Sequence, residues 1–269
     1  MPLFSFIILC LLIQTPSSFA VSNRETPVVR VVEECAPSVV SIGTEKIVLL
    51  KQHPNWGQYG GALDDFFQNA LTTQTVSAVK ARSIGSGVIV RSDGLIATNA
   101  HVVQMANKIY VTLLDGTQWE ASIIGVSKED DLALIKIYPP KKLKSVRLSD
   151  SRLIMTGETA VAIGNPYGLE NSVSVGIISG KNRALPATGL PRPFTGLLQT
   201  DAPINMGNSG GALLNLDGEL MGINLALIQQ AESIGFAIPS IKIQNMLAEY
   251  DRVFQKQNSK SKKIRIPVQ

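Results

Sequence analysis

Histidine, cysteine and aromatic residues are all scarce in this chain. Among its 269 residues there are two histidines, His53 and His101, and two cysteines, Cys10 and Cys35, and aromatics make up 6%. A catalytic zinc ion takes three protein ligands, usually drawn from histidine, cysteine and acidic side chains. So few histidines and cysteines leave little to build such a centre with, and neither a metal nor another cofactor is expected. Cys10 lies in an N-terminal segment that has the marks of a removable leader. Without it Cys35 stands alone, so no intramolecular disulfide can form and stability must come from packing. Cys35 sits in the stretch Val31-Val32-Glu33-Glu34-Cys35-Ala36, where a small buried filler fits better than a reactive thiol.

Charge is also sparse, at 17% of residues, and low-complexity tracts are absent, which excludes a largely disordered chain. With 45% apolar residues there is material for one large domain or two compact ones. The formal charge of +4 is misleading as an average. Lys256, Lys260, Lys262, Lys263 and Arg265 all fall in the last fourteen residues, and removing those five from the total leaves −1 for the rest. No nucleic-acid-binding face is therefore expected on the folded body.

Residues 1–20 carry no charged side chain, run apolar from Leu3 to Ile13 and end Ser18-Phe19-Ala20. This is the pattern of a secretory signal, although the usual basic residue near its start is missing. The apolar run is short for a membrane span, and Cys10 follows Leu9 rather than a small residue, which argues against lipidation. The expectation is an exported protein, periplasmic or secreted, with no stable membrane insertion once the signal is cleaved.

Between the signal and the basic tail, short β-rich runs alternate with turn signals. The runs fall at 86–91, 95–99, 108–113, 118–125, 132–137, 158–164, 172–179, 211–215, 219–226 and 233–239, with tight turns at Ser92-Asp93-Gly94, Asp115-Gly116 and Asp217-Gly218. Strands at this spacing mean a barrel or a sandwich. Helical spacing is clear only near the end, where Ser240 can cap a segment with Ile243, Met246, Leu247, Tyr250 and Phe254 on one face. The expected organisation is a signal at 1–20 and a first β unit at 21–140 that includes a long loop at 47–82. A polar linker at 141–155, a second β unit at 156–238, a helix at 239–256 and a basic tail at 257–269 follow.

The most informative string is Asp201-Ala202-Pro203-Ile204-Asn205-Met206-Gly207-Asn208-Ser209-Gly210-Gly211. Glycine on either side of Ser209 lets the backbone turn sharply and present Oγ, while the amides of Gly207 and Ser209 can converge on an oxyanion. The same residues fit the Gly-x-Ser-x-Gly elbow of α/β-hydrolases, but that fold needs its histidine after the serine, and both histidines here precede Ser209. A serine nucleophile needs a base, and His101 ends a strand whereas His53 lies in the long polar insertion. The acid that orients the base can be Asp130 or Asp131, adjacent residues that open the apolar run 132–137. Neighbours on a strand face opposite ways, so only one of them can meet the histidine.

Three motifs together resemble the HtrA (Deg) family of trypsin-like serine proteases over about residues 31–247. Gly85-Ser86-Gly87-Val88-Ile89-Val90 leading to Thr98-Asn99-Ala100-His101-Val102-Val103 is similar to the family's histidine motif. Asp131-Leu132-Ala133-Leu134-Ile135-Lys136-Ile137 resembles its aspartate motif and thereby selects Asp131 over Asp130. Gln199-Thr200-Asp201 through Gly211 resembles its serine motif, with Gly164-Asn165-Pro166 and Gly235-Phe236-Ala237-Ile238-Pro239 as flanking likenesses.

The resemblance implies an all-β fold of two six-stranded antiparallel barrels with a C-terminal helix. It implies a catalytic triad of His101, Asp131 and Ser209, and an oxyanion hole from the amides of Gly207 and Ser209. It also implies endopeptidase activity on unfolded polypeptides and assembly as a homotrimer; the competing expectation is a holdase of the same fold that binds such chains without cutting them. Arg183 matches the family's regulatory-loop arginine. Most members continue into PDZ domains, for which the residues after Gln257 leave no room. In trypsin the carboxylate of the specificity pocket lies six residues before the nucleophile, a count that lands here on uncharged Pro203. With Ile204, Leu225, Ala226 and Leu227 this implies a shallow apolar pocket and cleavage after Val, Ala, Ile or Leu. Asp201 is the nearby acid that could turn inward, and its place in the motif favours a structural role.

Overall fold

The computed structural model describes residues 24–52, 75–166, 171–186, 192–205, 208–225 and 234–263, and at 46–52, 75–83 and 254–263 it describes backbone only. The expected signal, the centre of the long loop with His53, Gly207, Ala226, Leu227 and the end of the tail lie outside the described residues.

A short helix, α1 (Pro27–Cys35), opens the described chain. Thr26 caps it by accepting from the Val29 amide at 3.3 Å, and Pro27 occupies the first turn, where its missing N–H costs nothing. Thirteen strands follow: β1 (Val39–Gln52), β2 (Thr75–Arg91), β3 (Leu95–Asn99), β4 (Lys108–Thr112), β5 (Gln118–Ser127), β6 (Leu132–Lys136), β7 (Arg147–Leu148), β8 (Thr159–Gly164), β9 (Ser172–Leu185), β10 (Phe194–Thr200), β11 (Ala212–Leu214), β12 (Glu219–Leu225) and β13 (Gly235–Pro239). A single turn of helix, α2 (Ala100–Val103), follows β3, and α3 (Ser240–Lys263) closes the chain.

The strands make two antiparallel barrels. The first closes in the order β1-β2-β3-β6-β5-β4, and the second runs β11-β8-β9-β10-β13-β12 and closes through β11–β12. The two-residue β7 adds to β12 in parallel. This is the fold class implied by the resemblance.

Three corrections concern boundaries. The loop expected at 47–82 is narrower, because β1 and β2 pair without interruption out to Gln52 and Thr75. The linker expected at 141–155 contributes β7 to the second sheet, and α3 runs to Lys263, through the first part of the basic tail. Lysine and glutamine are good helix formers, so the change from apolar to basic residues at 256 does not end the helix.

Strand periodicity explains how the barrels meet. In β3, Ile96 points into the first barrel with Val40, Ile42 and Ile135, while Leu95 and Ala97 point out with Leu132 and Leu134 of β6. The outward set is buried against Val161, Ile163, Leu197, Ala212, Leu214 and Ile223 of the second barrel. Strands buried on both faces lose the polar alternation of a surface strand and read as continuous apolar runs. Leu132, Leu134 and Ile163 are at most 1% exposed, and truncating one such side chain to alanine costs about 2–5 kcal/mol.

α1 plugs one end of this seam with Val31 and Cys35, four residues apart on one face. Cys35 is 3% exposed and its Sγ donates to the Gly218 carbonyl at 3.4 Å. Burial first, then the neighbouring Glu34 carboxylate, pushes its thiol up to about 11. The folded state therefore holds the proton above the unfolded pKa, and this contribution to stability declines as pH rises from about 9 towards 11. Iodoacetamide at pH 8 is expected to leave Cys35 unmodified over hours in buffer and to alkylate it fully in denaturant. Peptide mapping by mass spectrometry reads the difference.

Candidate active site

The apolar seam brings the end of β3, the turn before β6 and the loop before β11 to one place. His101 stands on α2, one residue beyond the helix start. Its Nδ1 lies 2.6 Å from Asp131 Oδ2, and its backbone amide donates to Asp131 Oδ1 at 2.9 Å. One carboxylate thus grips both the ring and the chain that carries it. Because a carboxylate only accepts, Nδ1 carries the proton and the Nε2 lone pair faces outward. Nε2 lies 3.1 Å from Ser209 Oγ. The acid side chain is 8% exposed and the imidazole 41%, so the ion is shielded while the base opens to the cleft.

Asp131 is one of two non-glycine described residues with positive φ, at 49°. Its carbonyl accepts from the Ala100 amide at 3.0 Å and from Asn99 Nδ2 at 3.2 Å, which fixes the turn against the strand that leads to His101. Backbone in this region is uncommon for a residue with a Cβ and persists where surrounding contacts hold it. Asp130, the alternative acid, points elsewhere, with Oδ1 2.7 Å from Lys242 Nζ.

Ser209 is held from the other barrel. The Ser86 amide of β2 donates to the Ser209 carbonyl at 2.9 Å, Ser86 Oγ accepts from the Asn165 amide at 2.8 Å, and Thr98 Oγ1 donates to the Ser86 carbonyl at 2.7 Å. Ser86 is thus a polar pin between the barrels at the nucleophile. Gly210 follows with φ 82°, and a Cβ there would lie 2.1 Å from the Ser86 carbonyl oxygen and 2.5 Å from Thr98 Oγ1. Only glycine lets the turn approach β2 this closely.

Sequence reasoning named the three central residues but passed over Asn99. Fully buried, it donates to the Asp131 carbonyl and accepts from Ser209 Oγ at 2.9 Å. The carbonyl of Asp131 can only accept, so the amide nitrogen must face it and Oδ1 must face the serine. The Ser209 proton therefore has two acceptors, His101 Nε2 and Asn99 Oδ1. The signal for Asn99 was its position two residues before His101, in the string that carries the resemblance.

The other expected residues are more scattered. Pro203 is exposed and Ile204 half-buried, packed on the interior of the second barrel. Leu225 is 1% exposed within the seam core and offers little surface to a ligand, contrary to the lining role expected for it. Asp201 Oδ1 accepts from the Ile177 amide at 2.6 Å, so this carboxylate is engaged with β9. Arg183 stands in a strand rather than a loop: it lies exposed on β9, with Nε donating to Gln199 Oε1 at 2.9 Å. Among the described residues no group of three or more His, Cys, Asp and Glu side chains could hold a metal ion.

A sequence profile described as "Trypsin-like peptidase domain" matches residues 85–223, which include His101, Asp131 and Ser209. Serine protease HhoA of Synechocystis is 42% identical over 234 residues, covering 84% of this chain and 58% of its own. The periplasmic serine endoprotease DegP of Escherichia coli K12 is 37% identical over 261 residues, covering 88% of this chain and 54% of its own. This chain thus spans little more than half the length of these relatives. Among solved structures, the HtrA-type protease AlgW with decapeptide superposes with a TM-score of 0.69 at 34% identity, covering 82% of this chain and 67% of that one.

The Gly210 contacts generate a sharp test. Gly210→Ala forces a Cβ into carbonyl and hydroxyl oxygens at a left-handed φ, and is expected to destabilise the fold by more than about 3 kcal/mol. The urea unfolding midpoint measures this, and a midpoint unchanged from the native chain would contradict the packing described.

Proposed function

We propose, from the premise that this chain belongs to the HtrA family of trypsin-like serine proteases, that it hydrolyses peptide bonds with His101, Asp131 and Ser209 as its triad. The observation that carries the reading is the unbroken run Asp131 Oδ2, His101 Nδ1 and Nε2, Ser209 Oγ at 2.6 and 3.1 Å. Ser209 Oγ attacks the scissile carbonyl as its proton passes to Nε2, and the imidazolium is stabilised by Asp131. His101 returns that proton to the leaving amine as the C–N bond breaks, leaving an acyl-enzyme. Water then attacks the ester, giving up a proton to Nε2, and Ser209 recovers its own as the acid departs. The amides of Gly207 and Ser209 donate to the oxyanion in both halves.

The substrates we infer are unfolded polypeptides, entered at small to medium aliphatic residues. An uncharged residue at Pro203 and the engagement of Asp201 with β9 support a pocket without a free carboxylate. A cation desolvated there would lack compensation, whereas a methylene more or less changes binding by only about 1–3 kcal/mol. Such residues are mostly buried in native proteins, which favours unfolded chains. Residues 1–20 and the periplasmic relatives support an exported enzyme; no described helix is long and apolar enough to cross a membrane. A homotrimer is the assembly we infer, with Arg183 coupling β9 to the oxyanion segment.

Ser209→Ala is expected to abolish both hydrolysis of a denatured protein and labelling by a fluorophosphonate, and His101→Ala to lower turnover by several orders of magnitude. Retained hydrolysis in either variant would overturn the triad, and binding of denatured protein without cleavage by the native chain would favour a holdase. Mass-spectrometric mapping of cut sites tests the pocket: cleavage chiefly after Lys or Arg would show that its chemistry has been misread.

A further inference from the structure

A side chain of the C-terminal helix holds the turn that presents Asp131. Within the turn the local hydrogen bonds are long: Asp131 N to Lys128 O at 3.3 Å, Ser127 Oγ to Asp130 Oδ2 at 3.2 Å and Asp130 N to Ser127 Oγ at 3.3 Å. Asp130 has a shorter contact from outside the turn. Lys242 Nζ donates to Asp130 Oδ1 at 2.7 Å and to the Thr195 carbonyl of β10 at 2.6 Å. Its side chain is 18% exposed, and its ammonium joins the first barrel's turn to the second barrel's wall.

The root of that side chain is itself fixed. Lys242 is the third residue of α3, whose start is pinned where Ser240 Oγ donates to the Ser149 carbonyl at 2.8 Å and the Ile241 amide donates to Ser151 Oγ at 2.9 Å. The next residue, Ile243, is fully buried in the seam. Further along, Asp251 accepts from Arg91 of β2 at 2.8 Å and Tyr250 lies under the same guanidinium. α3 therefore spans both barrels, and Lys242 is its contact with the residue adjoining Asp131.

We propose that Lys242 is a positioning residue for the reaction: by clamping Asp130 it holds Asp131 in its left-handed conformation and so sets the aim of the carboxylate on His101. This deepens the proposed function and rests on it. Asp131 must meet a backbone amide and a ring nitrogen at once, and a non-glycine residue at φ 49° keeps that pose where neighbours over-determine it. Small displacements of catalytic groups are costly, an ångström being worth up to about a hundredfold. Asp130 is 35% exposed, so without Lys242 its carboxylate can turn to solvent at little cost in stability while the turn loses its clamp.

The full chain carrying Lys242→Met keeps the aliphatic stem and loses the ammonium. The expected result is a fall of about tenfold or more in kcat on a denatured protein and in the rate of fluorophosphonate labelling at Ser209. KM and Tm stay close to native, and Lys242→Arg recovers most of the loss. If Lys242→Met does not fold, Asp130→Asn removes the ion pair from its other side and is expected to lower the same two rates. Rates within about twofold of native in these variants, or a loss that follows Tm and is not recovered by arginine, would overturn the inference. A native chain that is not labelled at Ser209 would overturn the enzymatic reading along with it, whereas native labelling with indifferent variants removes the clamp alone.

Discussion

The candidate nucleophile and its base stand on different barrels, so the seam between the barrels sets the 3.1 Å between Ser209 Oγ and His101 Nε2. That seam is apolar and buried on both sides, from Leu95, Ala97, Leu132 and Leu134 on one barrel to Ile163, Ala212 and Ile223 on the other. Close-packed side chains of this kind resist sliding, because each displacement opens a void that solvent cannot fill favourably. Packing alone has no fine direction, however. The hydrogen bonds of Ser86 to Ser209 and Asn165 supply it at the rim, where the seam opens into the cleft.

Around the site, polar groups are placed so that each fixes another. Asp131 is buried and accepts from the His101 backbone and ring, which settles the tautomer without recourse to solvent. Asn99 links the Asp131 carbonyl to the Ser209 hydroxyl and ties the candidate acid to the candidate nucleophile directly. Low exposure strengthens each of these contacts and makes each costly to leave unmade. The left-handed Asp131 and the glycine at 210 are the local departures from relaxed backbone that this crowding requires.

Much of the architecture was legible because its causes are local. Tight turns at Asp115-Gly116 and Asp217-Gly218 and short apolar runs marked most strands. β10 escaped notice because Gly196, at φ 70°, and repeated register shifts against β9 break its alternation. The two residues of β7 carry no pattern at all, and β1 extends into a stretch whose composition resembles a loop. Leu225 shows a further limit: an apolar residue at the end of a core strand can face a pocket or a core, and the residue type is the same in both cases.

By itself the sequence determined the residue types that acyl transfer requires, their order along the chain, and the alternation that folds them into β units, since these depend on chemistry and short-range periodicity. Choosing Asp131 over Asp130 needed a resemblance. The structure shows its physical basis, one carboxylate turned to His101 and its neighbour turned to Lys242. The contacts made by Ser86, Asn99 and Lys242 became visible only in the tertiary structure. Each acts on a partner from 30 to more than 100 residues away, as Asn99 does on Asp131 and Lys242 on Asp130. No periodicity or spacing records which distant segments the burial of apolar surface will press together.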